Sequence, residues 1–387
     1  MTSQQPISFS VTATPVEDID ELSVEWRELE SRSAEYSFFL SWHWIGSWLR
    51  CLPTTVKPLI LRVSNGAQTV GLAVLVEGTT PVLRIFSLRQ IALNETGDRE
   101  LDTITVEYNG VLAAAGLENV VTTAGLEWLL QDGVPNQAIQ LGGIDTPLTE
   151  NAIALASAHG RRTNQIRLSL APYVDLAAIR GSGEEYLSHL SRNSRQSMRR
   201  CLRYYESTGP LEYHTATTPD EALFLLDELQ EAHQLYWQSR GRPGSFARPF
   251  FKQFHTELIK AAFAGGHIEM ARISAGGSPI GYLYNFVWRK MVYAYQSGFH
   301  YTDEGSAKPG YVSHYMAITY ALARGRSFYD FMAGDRQHKT SLSTRERNLV
   351  WLQLRQPVLA VRLETAIKSL LAAIYNRSLQ RPNKNES

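Results

Sequence analysis

Cysteine is scarce in this chain of 387 residues: there are two, Cys51 and Cys201. They lie far apart and match no metal-ligand or redox spacing, so both read as reduced, packed thiols. No apolar run reaches the ~18 residues that a membrane-crossing helix needs. The start, MTSQQPISFSVTATPVEDID, lacks the basic-then-apolar order of a signal peptide. A cytoplasmic protein without a transmembrane segment is expected. Nor is there an excess of charge: 38 basic and 38 acidic side chains cancel, giving a pI near 7.2, which argues against DNA or another polyanion as partner of the whole surface. HxxxH and CxxC pairs are missing, as are G-x-S-x-G and a Walker loop. Metal chemistry, a serine-hydrolase elbow and a P-loop kinase therefore find no support, and no metal is expected.

What is present suits a soluble globular protein, and the length points to two domains. From Lys57 to Arg89 the sequence reads as a meander: PLILRVS, a hairpin turn at Asn65-Gly66, QTVGLAVLVEG, a Thr-Thr-Pro break, then VLRIFSL. A second meander runs from His267 to Phe299, with turns at Gly276-Gly277 and Trp288-Arg289-Lys290. At a constant offset of 210 residues, Arg62, Ser64, Gly66 and Gly71 fall on Arg272, Ser274, Gly276 and Gly281. Each meander is followed by a helix-like stretch and a strand, GLENVVTTAGLEWLL and AIQLGG in one half, GYVSHYMAITYALARG and FYDFMAG in the other. Turn, glycine and arginine coincide in one register, so a tandem duplication of one α/β module is expected, joined near Ala177–Gly183.

After the join, Glu184 to Glu206 reads as one amphipathic helix with a buried stripe at Leu187, Leu190, Ser194, Met198, Cys201 and Tyr205. Arg192, Arg195, Arg199 and Arg203 share another face, either solvated or an anion site. Two helices follow, the first opening at Pro219 and stopping near Gly241. Residues 360–379 form a further amphipathic helix, and QRPNKNES reads as a disordered polar tail.

Chemistry is expected at the strand-to-helix junctions of the second half. Gly298 marks a bulge or a close backbone approach. Lys308-Pro309-Gly310 leads into a helix whose free N–H groups and dipole suit a phosphate or pyrophosphate. The strand ending at Gly334 runs straight into Asp335-Arg336-Gln337-His338-Lys339.

The order of helices, meander, helix start and final strand resembles the GNAT acyltransferase fold. More narrowly, the second half resembles the CelD/BcsL-type acetyltransferases, named for a link to cellulose biosynthesis. A similar tandem arrangement is found in FemAB-type aminoacyltransferases. The residues that carry the resemblance are SRNSRQSMRR (Ser191–Arg200), HQLYWQSRG (His233–Gly241), KPGY (Lys308–Tyr311) and YDFMAGDRQHK (Tyr329–Lys339). The match spans about Glu184 to Leu342. Two departures stand out: the general pyrophosphate signature R/Q-x-x-G-x-G/A is absent, and His338 stands where the branch has tyrosine.

The resemblance implies an α/β (α+β) protein of two tandem GNAT-like modules, each a mixed, mostly antiparallel sheet flanked by helices. Residues 1–180 would be a non-catalytic module shaping the acceptor cleft, 181–356 the acyltransferase module, and 357–387 a C-terminal helix and tail. Acetyl-coenzyme A or another acyl-coenzyme A would be the co-substrate, held by Lys308, Pro309, Gly310 and Tyr311. Asp335, Lys339 and His233 are the catalytic candidates, as orienting group or base, anion contact and alternative base. Arg192, Arg195, Arg199, Trp237 and Arg240 are candidates for substrate contact. The acceptor would be an amine or hydroxyl of a small molecule or sugar precursor. Two alternatives stay open: an aminoacyl-tRNA donor, or a non-catalytic binding or scaffold protein. Self-association as a homodimer is also left open.

Overall fold

The computed structural model describes residues 9–131, 133–334 and 337–379. Asp335 and the tail 380–387 lie outside the described residues. The first half runs β1 (Phe9–Pro15), α1 (Ile19–Ser31), α2 (Trp42–Cys51), β2 (Pro58–Asn65), β3 (Gln68–Val82), β4 (Phe86–Leu93), β5 (Leu112–Ala113), α3 (Glu118–Leu130), β6 (Ala138–Ile144), α4 (Thr146–Ala158) and β7 (Arg162–Asp175). A short helix, α5 (Leu176–Ser182), occupies the join. The second half runs α6 (Arg192–Glu206), β8 (Leu211–Thr215), α7 (Pro219–Gln238), α8 (Pro249–Ala262), β9 (Ile268–Ala275), β10 (Ser278–Trp288), β11 (Met291–Phe299), α9 (Pro309–Ala323), β12 (Phe328–Asp330), α10 (Gln337–Leu342), β13 (Arg345–Arg355) and α11 (Leu359–Leu379).

The described strands make one mixed sheet of 13, in the order β1-β2-β3-β4-β6-β13-β7-β12-β11-β10-β9-β8, with β5 on β3. Read inward from either edge, the two halves are alike. The duplication extends to an irregularity of the backbone. Between β2 and β3 the pairing steps from Val63↔Gly71 to Ser64↔Thr69, bulging out Val70; between β9 and β10 it steps from Ile273↔Gly281 to Ser274↔Pro279, bulging out Ile280. The paired glycines have a shared cause. A Cβ on Gly71 would stand 2.3 Å from Val121 of α3, and one on Gly281 would stand 2.8 Å from Ser313 Oγ of α9, so each lets the module's helix lie close on its sheet.

At the centre the halves exchange their last strands. β13 pairs antiparallel with β6, β7 pairs antiparallel with β12, and the two pair with each other from Arg345↔Tyr173 to Arg355↔Arg162. The halves are further joined by aromatic packing: Phe38 of the first stacks on Phe286 of the second with centroids 4.6 Å apart, and both are fully buried. Burying rings of that size contributes on the order of 1.5–3 kcal/mol each.

Three local expectations are corrected. β3 does not break at Thr79-Thr80-Pro81 but runs to Val82. The β2 partnership ends at Val76, so the side to which Pro81 cannot donate is an open edge, where proline is tolerated. The helix over 184–206 is split into a 3-10 turn, Tyr186–His189, and α6, because extended Ser191 caps α6 by accepting from Ser194 N at 3.1 Å. The buried stripe nonetheless holds. β12 stops at Asp330, whose Oδ1 accepts from Met332 N at 2.7 Å and turns the chain; pairing with β7 resumes through Phe331 N and Gly334 N.

Candidate functional site

β11 and β12 pair in parallel for three residues only, Met291–Tyr293 with Phe328–Asp330, and then diverge. The divergence follows from β11 itself. Opposite β10 its register slips between Tyr284 and Asn285, leaving Tyr295 as an extra residue. Three residues on, a Cβ at Gly298 would stand 2.5 Å from Leu229 O, so α7 rests directly on the strand. The close approach expected at Gly298 is present, and the bulge lies at Tyr295. The opening is a cavity of about 250 Å³ whose walls include His233, Trp237, Ser297, His314, Phe331 and Lys339. Ser297 N faces Gln296 Oε1 of its neighbouring residue at 3.2 Å.

The expected site residues divide into three groups. His233, Trp237 and Lys339 line the cavity. His233 is buried; its Nε2 accepts from Trp237 Nε1 at 2.8 Å, which places the ring proton on Nδ1, facing Gln234 Oε1. Lys339 Nζ donates to the carbonyls of Phe331, Met332 and Ala333 at 2.7, 3.3 and 3.1 Å, holding the turn after β12. Arg240 belongs to the rim, lying over Tyr236, which packs on Tyr301.

The second group is the start of α9. Lys308 precedes the helix, Pro309 is its first residue, and the Cα of Gly310 packs on Phe299, where a Cβ would stand 3.1 Å from the ring. The helix therefore begins at the end of β11, and His314 one turn later reaches the cavity. Lys308 Nζ reaches Ser197 Oγ of α6 at 3.3 Å and lies over the Tyr311 ring. The third group, Arg192, Arg195 and Arg199, stands on the outer face of α6 and is not among the residues lining the cavity; Arg195 donates to Ser188 O at 2.9 Å. Asp335 lies outside the described residues.

Several polar groups at the site escaped the sequence reading. His314 Nδ1 lies 2.8 Å from the Tyr329 hydroxyl. From the first half, Glu107 Oε2 accepts from Ala333 N at 2.8 Å and the Tyr108 hydroxyl donates to Asp330 Oδ2. Burial pushes the Glu107 carboxyl up to about 7, against the pull of Ala333 N and Lys339. Burial raises Asp330 too, opposed first by Arg347, whose guanidinium stacks over Tyr173 and Tyr108. The one available signal was a carboxylate inside the apolar run ITVEYNGVL.

The equivalent opening of the first half is filled. Asn94 Oδ1 accepts from Val74 N, its Nδ2 donates to Asn109 and Gly110, and Glu95 lies so close on Gly142 that a Cβ there would be 2.2 Å from Oε2. α3 starts with Glu118 where α9 starts with Lys308-Pro309. Between the halves lies a larger cleft of about 1340 Å³, walled by α3, α4 and the loop Tyr108–Val111 on one side and by Trp288–Met291 and Arg347 on the other.

The segment that builds the cavity, residues 192–340, matches a known family. The family model it matches is that of the acetyltransferase (GNAT) domain. No curated protein matches the chain in sequence. Among solved structures, the C-terminal domain of an Agrobacterium fabrum protein described as a lysylphosphatidylglycerol synthetase superposes with a TM-score of 0.53 at 9% identity, over 91% of this chain and 95% of that one. L-PGS from Bacillus licheniformis gives 0.51 at 12% identity, over 91% and 96%, and FemX gives 0.51 at 10%, over 86% and 96%. At these identities the likeness is one of fold, and it covers both halves rather than the GNAT domain alone. Among the described residues no group of three or more His, Cys, Asp or Glu side chains is placed to hold a metal, and no helix is long and apolar enough to cross a membrane.

Proposed function

We propose that the chain transfers an acyl group, acetyl in the simplest case, from acyl-coenzyme A to an amine or hydroxyl of a small molecule or a sugar precursor. One observation carries the reading: the bulged β11 parts from β12 above the start of α9. An opened strand pair offers its backbone edge to an extended amide-bearing arm, and Ser297 N, which donates to the side chain of Gln296, would turn to that arm when Gln296 Oε1 swings away. A helix start with proline and glycine offers N–H groups and positive potential to a pyrophosphate. The residues fit an acyl-coenzyme A donor: Lys308, Pro309, Gly310 and Tyr311 would meet its phosphates and the cavity would take its acyl end. That donor supplies an activated thioester carbonyl. The chain's part is to exclude water, hold the nucleophile close and orient it. Lys339, fixed on three carbonyls, would position the turn that forms one wall, and His233 with Trp237 would form another. Asp335 remains a proposed orienting group, and Arg240 a proposed contact at the rim. Residues 1–180, 181–356 and 357–387 would be the filled partner module, the transferring module and an appended helix with its tail.

Thermal unfolding with acetyl-coenzyme A tests the donor. Ligand at a hundred times its Kd stabilises by about 2.7 kcal/mol, a rise of several degrees. No shift at millimolar ligand would contradict the reading. The outward face of α6, with Arg192, Arg199 and Arg203 exposed, favours one second donor, an aminoacyl-tRNA; salt-sensitive binding of charged tRNA would support it.

A further inference from the structure

The last helix turns its apolar side away from the protein. At about 100° per residue, Leu359, Leu363, Ile367, Leu370 and Leu371 of α11 fall within about 120° of its circumference. All five are exposed, by 41% to 73%. The body meets the other side of the helix. Val361 is buried with Val82 and Leu88, Glu364 pairs with Arg355 at 2.7 Å, and Thr365 faces a hollow shared with Arg162. A helix on the surface of a globular protein ordinarily buries its apolar stripe. These anchors lie in the first two turns of α11, and a helix carried so far beyond them is marginal in water unless its apolar side is covered.

A second element brings apolar side chains to the same place. The β3–β4 hairpin ends beside the start of α11, where Leu83 and Ala360 pack on the cluster of Val82, Leu88 and Val361. Its three-residue tip is Leu83-Arg84-Ile85, with Leu83 and Arg84 at φ +53° and +62°. Hairpin tips with positive φ ordinarily carry asparagine, aspartate or glycine. This tip instead holds Arg84 and Ile85 out to solvent, Ile85 being 77% exposed and Phe86 beside it 40%.

The free charges around the stripe are of one sign. Arg362 and Lys368 stand about 60° beyond its two edges, and both are exposed, as is Arg84 at the hairpin tip. The one carboxylate in the sequence of α11, Glu364, is shared by Arg355 and Lys368. A second copy of the chain would set these cations against each other. A paired helix also wants charges of both signs beside its stripe, where α11 has Leu359, Ala366 and Leu371. An anionic lipid surface suits both features, since headgroup phosphates meet the cations and the acyl region takes the leucines and isoleucine.

We propose that α11 and the tip of the β3–β4 hairpin dock the protein on an anionic phospholipid bilayer. The helix lies in the plane of the interface, with its apolar stripe at the upper acyl chains and Arg84, Arg362 and Lys368 at the phosphates. Ile85 and Phe86 enter beside its first turn. The polar side of α11 stays on the body, so docking needs no unfolding.

The test is flotation of the full chain with vesicles of phosphatidylcholine alone, or of phosphatidylcholine and phosphatidylglycerol in equal parts. Wild type should float with the mixed vesicles, stay behind with the neutral ones, and be released by salt. Ile367→Glu with Leu370→Glu should bind at least tenfold more weakly, because two apolar side chains of the stripe become charged. Arg84→Gln with Arg362→Gln should weaken binding about fivefold for each cation removed. Ile85→Asp tests the tip on a separate element and should also weaken binding. All of these side chains are exposed, so Tm should not change. Wild type that floats with neither vesicle, or helix and tip variants that float as wild type does, overturns the proposal. Equal, salt-insensitive flotation with both vesicles overturns its anionic part. Wild type that stays behind, and sediments as a dimer that Ile367→Glu with Leu370→Glu splits, overturns it by placing a second copy on the stripe.

Discussion

The Tyr108 hydroxyl donates to Asp330 Oδ2 at 2.5 Å, joining residues 222 positions apart at the point where β12 leaves the sheet. Asp330 is fully buried, and its other oxygen holds the Met332 amide that turns the chain toward the cavity. Tyr108→Phe keeps the ring under Arg347 and removes only the donor. An unpaired buried acceptor costs about 1–3 kcal/mol, so the variant should unfold at lower urea with an unchanged m-value. An unchanged midpoint would mean that Arg347 alone satisfies Asp330.

Gly298 should tolerate no side chain. The Cβ of alanine would meet a backbone oxygen of α7 at 2.5 Å, so the helix must move off the strand. Gly298→Ala is expected to cost about 1–3 kcal/mol and to weaken donor binding together with stability. Thermal unfolding with and without acetyl-coenzyme A reads both, and a variant as stable as wild type would show that α7 is free to shift.

His255 gives stability an acid limb. It is fully buried among Phe251, Phe254 and Trp44 with neither ring nitrogen hydrogen-bonded, and burial lowers it to about 3; burial lowers His43 to about 4. The unfolded chain takes these protons near 6.5 while the folded one refuses them, so stability is full above that value and falls as the pH drops toward 4. His255→Phe should flatten this limb and raise stability, measured as Tm from pH 4.5 to 8. A limb of unchanged steepness would contradict it.

Glu95 should act in the opposite direction. Burial, then Asp102 beside it, raises its carboxyl above the usual range. The folded chain then holds a proton that the unfolded chain releases near 4.5, so this contribution is present in acid and lost as pH rises through the raised value. Glu95→Gln should therefore gain stability relative to wild type at pH 8.5 and not at pH 5, on the order of a few degrees in Tm. Equal effects at both pH values would argue that Glu95 is charged in the fold.

Local chemistry made much of this fold legible. The hairpins at Asn65-Gly66 and Gly276-Gly277, the helix from Pro219 and the start of α9 all follow from turn residues and periodicity. The duplication showed because Arg62, Ser64, Gly66 and Gly71 repeat as a set; its shared bulge did not, since a register slip leaves no residue type behind. The exchange of β7 and β13 was equally hidden, because Arg162–Asp175 finds its partners some 180 residues away and nothing in its composition names them. The cavity was readable where one continuous stretch, β11 to α10, builds it. Glu107 and Tyr108 were not, because their role depends on a loop crossing from the other half. Pro81 shows the converse, a strong local signal overruled by its place on an open edge.

The central claim is that the start of α9 and the parted strands hold an acyl-coenzyme A. Calorimetric titration of acetyl-coenzyme A into wild type and Lys308→Glu tests it most directly, since Lys308 is exposed and its reversal leaves the core alone. The expected result is micromolar binding by wild type, weakened at least tenfold in Lys308→Glu with Tm unchanged. Wild type that takes up no heat of binding, or a variant that binds as tightly as wild type, would contradict the account.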